Sequence, residues 1–275
     1  MAIMNKIPKT GERVLPDQIE TLEEYLLYLR HLFAYEFASY QLLEDFHVLE
    51  IGCGDGYGTR LLSQNVMKVI GLDIDQDIID HALKKNGSKK CLFEAYDGEK
   101  IPYDDNTFDA VITFQVIEHV FGDIHFVSEI HRVLKKGSKL ILSTPNGENR
   151  LLNGKSPWNR FHVREYSTRS LNDLLSKFFI KTSMFGICAN YEVEKIEKER
   201  IKQIAMISSF DPFNVRKIVP ERFKSMLIRF LKKITRRYTE YRDASDLHRK
   251  YSVNDYYVDM NDIGNSLDIL AVCIK

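Results

Sequence analysis

The strongest constraint on the fold is a change of hydrophobic period near residue 46. Before it, Ile19, Leu22, Leu26, Leu29, Phe33, Phe37 and Tyr40 repeat at helical spacing, one helix or two across residues 18–43. After it, Val48, Leu49 and Ile51 form a short apolar run ending in glycines, the pattern of a strand buried on both faces of a parallel sheet. Strand and helix patterns then alternate. Strands are expected at 69–72, 110–114 and 140–143, and helices at 76–85 and about 123–135. A helix capped by Ser167 or Thr168, a strand within 178–188 and a last strand at 267–274 follow. Such alternation predicts an α/β fold: a doubly wound, mostly parallel sheet of seven strands with helices on both faces.

Residues 190–262 break the alternation. They are highly charged and partly helical, yet a strand pattern returns after them, so one domain covers residues 1–275. Within it the expected parts are an N-terminal helical lid (1–44), a sheet core (45–189 and 264–275) and a charged helical insertion (190–263). Lys plus Arg and Asp plus Glu both number 39, and this balance disfavours a protein that coats duplex nucleic acid. No stretch reaches the roughly 18 uninterrupted apolar residues of a membrane span, and no leader pattern opens the chain. Cys53, Cys91, Cys188 and Cys273 form no CxxC pair and read as reduced thiols of a cytoplasmic protein, with no metal site expected.

Chemistry concentrates at the ends of the strand patterns. Glu50-Ile-Gly52-Cys-Gly54-Asp-Gly56-Tyr-Gly58 occupies the first strand-to-helix turn, where glycines let a ligand approach the backbone and the next helix offers free N–H groups. The spacing is GxGxG, not the GxGxxG of dinucleotide sites, which counts against an NAD-dependent oxidoreductase. A tight corner alone would also explain glycines here. Asp73 closes the second strand, where a carboxylate can accept both ribose hydroxyls; Asp75, just before a helix, suits an N-cap. Asp97 follows the third strand and can meet a purine amine. One acid after each of three adjacent strands is more specific than any single motif.

These segments, with DGEKIPYDDNTFDAVITFQVIEHV and EIHRVLKKGSKLILSTPN, resemble in order and spacing the successive motifs of class I S-adenosylmethionine-dependent methyltransferases. The likeness covers about residues 45–147 and is closest to the type 11-like branch that includes ubiquinone-pathway O-methyltransferases. It implies S-adenosylmethionine as cofactor and S-adenosylhomocysteine as product. It further implies that Gly52 and Gly54 approach the methionine part, Glu50 holds its amino group and Asp73 takes the ribose. Ile74 would flank the adenine, Asp97 and Gly98 would meet its edge, and the backbone of Gln115 would reach the methionyl amine. The family's LKPGG turn stands here as Leu134-Lys-Lys-Gly-Ser138.

An acceptor proton, where one must leave, needs a base beyond the fourth strand. His119, beside Glu118, suits that task because a neutral imidazole is common at pH 7; the pair can equally serve to build a turn. A second cluster, Trp158-Asn-Arg-Phe-His162-Val-Arg164-Glu-Tyr166, follows Thr144-Pro-Asn146. Trp158, Arg164 and Tyr166 read as acceptor-binding residues and His162 as an alternative base, against a bland reading in which Arg164 pairs Glu165 and the aromatics plug a lid. A related FHxREY stretch occurs in relatives resembling bacterial glycan and secondary-metabolite enzymes, as does a GER…P start like Gly11–Pro16. The acceptor is therefore expected to be a small molecule, a sugar, nucleotide-sugar or similar metabolite methylated on oxygen. Transfer to nitrogen or carbon, or a non-catalytic binding protein of this fold, are the alternatives. Residues 216–242 carry ten Lys/Arg against two Glu with apolar residues at helical spacing; such a helix can meet an anionic membrane or ligand, or simply pack on the domain.

Overall fold

The computed structural model describes residues 13–150, 157, 159, 161–209 and 250–275. Its strands are β1 (His47–Ile51), β2 (Lys68–Asp73), β3 (Cys91–Ala95), β4 (Phe108–Phe114), β5 (Leu134–Pro145), β6 (Lys181–Ala189), β7 (Tyr256–Asp259) and β8 (Asp268–Ile274). They lie in one sheet in the order β3-β2-β1-β4-β5-β8-β6-β7. β1 to β5 pair in parallel, with Val48 opposite Val69 and Ala110, while β8 runs antiparallel between β5 and β6. The helices are α1 (Leu22–Ser39), α2 (Tyr57–Leu62), α3 (Gln76–Asn86), α4 (Asp123–Val133), α5 (Gly147–Arg150), α6 (Thr168–Leu175) and α7 (Tyr191–Ser209).

The apolar runs are continuous because successive side chains enter opposite layers. Val48 and Val69 pack with Leu26, Leu29 and Val193 of α1 and α7. Leu49, Ile51, Ile70 and Leu72 face the other way, toward Phe126 and Ile130 of α4 and Leu171 of α6. Each such side chain, fully buried, contributes roughly 1.5–3 kcal/mol. Helix starts follow local chemistry: Thr21 and Ser167 form capping boxes, and Asp75 accepts the N–H groups of Asp77 and Ile78, the N-cap role expected of it.

The sheet has eight strands where the pattern predicted seven. The extra one, β7, lies within the span expected to be a helical insertion and pairs Tyr256–Asp259 with Gly186–Ala189. Four residues at a sheet edge with only Tyr256 buried carry too little pattern to be seen in advance. A second feature was invisible too. Arg30, 2% exposed on α1, pairs with Asp268 of β8 at 2.9 Å and with Glu197 of α7 at 3.6 Å, tying three distant segments through buried charge. Among the described residues no helix is long and apolar enough to cross a membrane. The basic segment 216–242 lies outside the described residues, as do Gly11, Glu12 and Trp158.

Candidate active site

A cavity of about 640 Å³ opens at the carboxyl ends of β1, β2, β3 and β4, within the 300–1,000 Å³ usual for small-molecule and cofactor sites. Gly52, Gly54, Asp73, Ile74, Asp97, Gly98 and Gln115 all line it, so seven side chains or turns expected to act together are brought together. Gly54 has φ +54°, and a Cβ there would meet no protein atom within 4 Å: the turn presents bare backbone to open space. Gln115, at φ +57°, adopts the same left-handed conformation without being glycine, which costs a non-glycine residue roughly 1 kcal/mol or more. Its N–H is spent on the carbonyl of Ser143.

The acids are held by backbone donors. Asp73 accepts the N–H of Gly54 on Oδ2 and that of Asp75 on Oδ1, each at 3.1 Å. Each oxygen keeps a further lone pair, which suits paired hydroxyls. Asp97 accepts the N–H groups of Glu99 and Lys100, and these bonds hold its carboxyl below the usual range. Ile74 is 69% exposed, an apolar face left bare at the cavity wall. These residues fit a ligand with a ribose, a purine edge and an apolar ring face.

Glu50 is a correction. It does not reach the cavity: it is 1% exposed, and its two oxygens accept the hydroxyls of Tyr35 and Thr59, each at 2.5 Å. Tyr35, from α1, lines the cavity in its place. Gly58 makes this approach feasible, since a Cβ there would collide with the Tyr35 ring. Burial raises the Glu50 carboxyl to about 7, although both hydroxyl bonds pull it down. Tyr35 and His31 were not named as site residues; they lie in the N-terminal segment expected to form a helical lid, and both line the cavity. Burial and the adjacent Arg30 lower His31 to about 3, so it is neutral at ordinary pH.

Across the cavity, Ile117–His119 forms a 3-10 turn after β4. His119 is on the wall, with Phe121 and Phe161 beside it; Phe121 is 84% exposed. The segment 161–166 is stitched to this turn, since the N–H groups of Val163 and Arg164 donate to the carbonyl of Glu118. His119 donates Nδ1–H to the Phe161 carbonyl at 3.1 Å. His162 stands behind the wall, its ring centre 4.7 Å from that of His119 and nearly perpendicular, with Nδ1 bonded to Glu165 Oε1 at 2.8 Å.

Arg164 and Tyr166 are further corrections, because neither lines the cavity. Arg164 pairs with Asp123 at the start of α4 and donates to the Phe121 carbonyl, while the Tyr166 hydroxyl donates to Asp123 Oδ2 at 2.8 Å. Together they brace the loop before α4. The alternative pairing of Arg164 with Glu165 is not formed either, since Glu165 holds His162. Asn146 is fully buried, its amide donating to the carbonyls of Ile263, Gly264 and Ser266; it locks the end of β5.

Residues 49–142 match the family model described as "Methyltransferase domain". A probable S-adenosylmethionine-dependent methyltransferase of Mycolicibacterium smegmatis is 34% identical over 63% of this chain and 65% of its own length. One of Mycobacterium tuberculosis is 35% identical over 65% of this chain and 63% of its own. The chain thus spans slightly under two thirds of these relatives. The solved structure of a SAM-dependent methyltransferase from Thermotoga maritima shares the fold, with TM-score 0.55 at 19% identity over 92% of this chain and 94% of that one.

Proposed function

We propose that this chain, which carries a class I methyltransferase domain, moves a methyl group from S-adenosylmethionine to an oxygen of a small ring-bearing metabolite such as a sugar. The observation that carries the reading is the convergence of Gly54, Asp73, Asp97 and Gln115 on one cavity with His119 on the facing wall. S-adenosylmethionine, when bound, supplies a methyl carbon already activated by its sulfonium sulfur. Asp73 holds the ribose hydroxyls, the turn at Gly52 and Gly54 takes the methionine part, and Ile74 flanks the adenine. Catalysis by the protein is then mainly positioning, aided by removal of the acceptor proton.

The position of His119 on the cavity wall supports it as the group that takes this proton. Its Nδ1–H is committed to the Phe161 carbonyl, so the lone pair of the neutral ring sits on Nε2 and accepts the proton of an acceptor hydroxyl. His125 also lines the cavity, with Nε2 bonded to the Glu99 carbonyl. Phe121 and Phe161 offer aromatic faces for the acceptor ring. Arg164 is engaged with Asp123, so it supplies no grip for an acceptor phosphate, and a neutral ring is favoured over a nucleotide-linked one.

The test has two arms. Calorimetry should show S-adenosylhomocysteine binding that Asp73→Ala weakens by about 10- to 100-fold, the equivalent of 1.5–3 kcal/mol for a hydrogen bond to a charged group. Unchanged affinity would remove Asp73 from the ribose. Label from methyl-labelled cofactor should then pass to a neutral sugar in preference to its nucleotide-linked form; transfer only to amines would overturn the oxygen acceptor.

A further inference from the structure

We infer that Glu118, His119 and His162 form a site for one divalent transition-metal cation of the zinc or cobalt(II) kind, set in the cavity wall. One ligand-type atom from each of the three lies within 4.8 Å of the others. Two imidazoles and a carboxylate are the donor set such ions prefer.

Two further observations point to a cation. The first is Glu118 itself. It is 1% exposed, and its Oε2 accepts the Thr144 hydroxyl at 2.9 Å, whereas its buried Oε1 has no hydrogen-bond partner among the described residues. That oxygen lies 4.0 Å from His119 Nε2. A buried carboxylate oxygen left uncompensated is costly, and a cation between it and the imidazoles removes the cost.

The second is the outer ring of contacts. His119 gives Nδ1–H to a backbone carbonyl and His162 bonds Glu165 through Nδ1, while Thr144 steadies Glu118. Metal-bound histidines carry such partners, which fix the tautomer with its lone pair on Nε2. With metal–nitrogen bonds of about 2.0–2.1 Å, tetrahedral donors stand about 3.3 Å apart, so binding would draw these side chains inward by about an ångström. Three protein donors leave an open coordination position, the mark of a catalytic rather than a structural site.

The chemical role rests on the methyltransferase reading. Because His119 lines the cavity, the open position beside it would hold the acceptor oxygen and lower its pKa; with metal bound, the proton would pass to solvent water, and the transfer to His119 Nε2 described above is then the route of the metal-free chain. The oxygen's electron pair forms the bond to the methyl carbon, and the carbon–sulfur pair remains on sulfur as a neutral thioether.

The test uses the full chain stripped with a chelator. Titration with cobalt(II), followed by visible absorption, and with zinc, followed by calorimetry, should each show one equivalent bound. Glu118→Gln and His162→Ala should each weaken binding by at least about 100-fold, and Glu165→Gln by about 10- to 100-fold. S-adenosylhomocysteine affinity, measured on each variant, should stay near that of the parent and reports that the fold is intact. A parent chain that takes up no cobalt at millimolar concentration overturns the inference without any variant, as does equal uptake by a His119→Ala/His162→Ala double variant. Cobalt binding without S-adenosylhomocysteine binding would instead overturn the methyltransferase reading and leave the metal site standing.

Discussion

Glu50, in β1, and Glu118, in the turn after β4, make an instructive pair. Each is 1% exposed, and burial raises each carboxyl to about 7. They differ in how their oxygens are completed. Both oxygens of Glu50 accept hydroxyls, from Tyr35 and Thr59, and the group is closed off behind the cavity. Glu118 has one oxygen satisfied by Thr144 and another without a hydrogen-bond partner among the described residues, beside two imidazoles. Glu50 is therefore completed by groups of the chain itself, while Glu118 keeps one oxygen that no hydrogen bond completes among the described residues. Two equally buried acids thus differ in what completes them: Glu50 ties α1 and α2 to β1, and Glu118 stands beside two imidazoles in the turn after β4.

The largest effect that would sharpen this contrast is on turnover. His119→Ala should depress methyl transfer by about 10²–10⁴-fold while S-adenosylhomocysteine affinity stays near that of the parent. A matching loss of affinity in calorimetry would merge the two sides and break the comparison.

Next in size is the pH dependence of stability through Glu50. Its carboxyl titrates at about 7 in the folded chain and near 4.5 when unfolded, so the folded form holds the proton more tightly. This contribution is fully present below about pH 4.5 and is lost as pH rises through about 7, on the order of 3 kcal/mol in all. Glu50→Gln should remove that slope, so denaturant titrations of parent and variant should converge at low pH and diverge with the variant more stable toward pH 8. Parallel curves would show that Tyr35 and Thr59 hold Glu50 ionised throughout.

The smallest expected effect concerns the brace at the start of α4. Arg164→Ala removes a partly exposed pair with Asp123 and should cost only about 1 kcal/mol of stability, with S-adenosylhomocysteine binding unchanged. Salt-sensitive acceptor affinity that vanishes in this variant would return Arg164 to the acceptor site.

That the glycine turn, Asp73 and Asp97 would share one cavity was legible because the signals are local. GxGxG, Asp73 and Asp97 each follow a strand whose apolar run is visible, and a parallel sheet forces the ends of adjacent strands to one edge. The roles of Glu50, Arg164 and Tyr166 were not legible, because each is decided by a partner distant in the chain. Thr59 lies within reach of a motif, but Tyr35 comes from a helix before the sheet, and Asp123 stands 41 residues from Arg164. The clustering of Glu118 with His162 likewise depends on how the segment after β5 folds back on the turn after β4.

The sequence by itself determined the alternating strands and helices, the glycine turn and the acids that follow three strands, because apolar period and backbone chemistry act over a few residues. Only the tertiary structure decided which polar side chains are spent on one another and which face the cavity. A carboxylate or guanidinium takes its role from the groups buried beside it, and those come from anywhere in the chain.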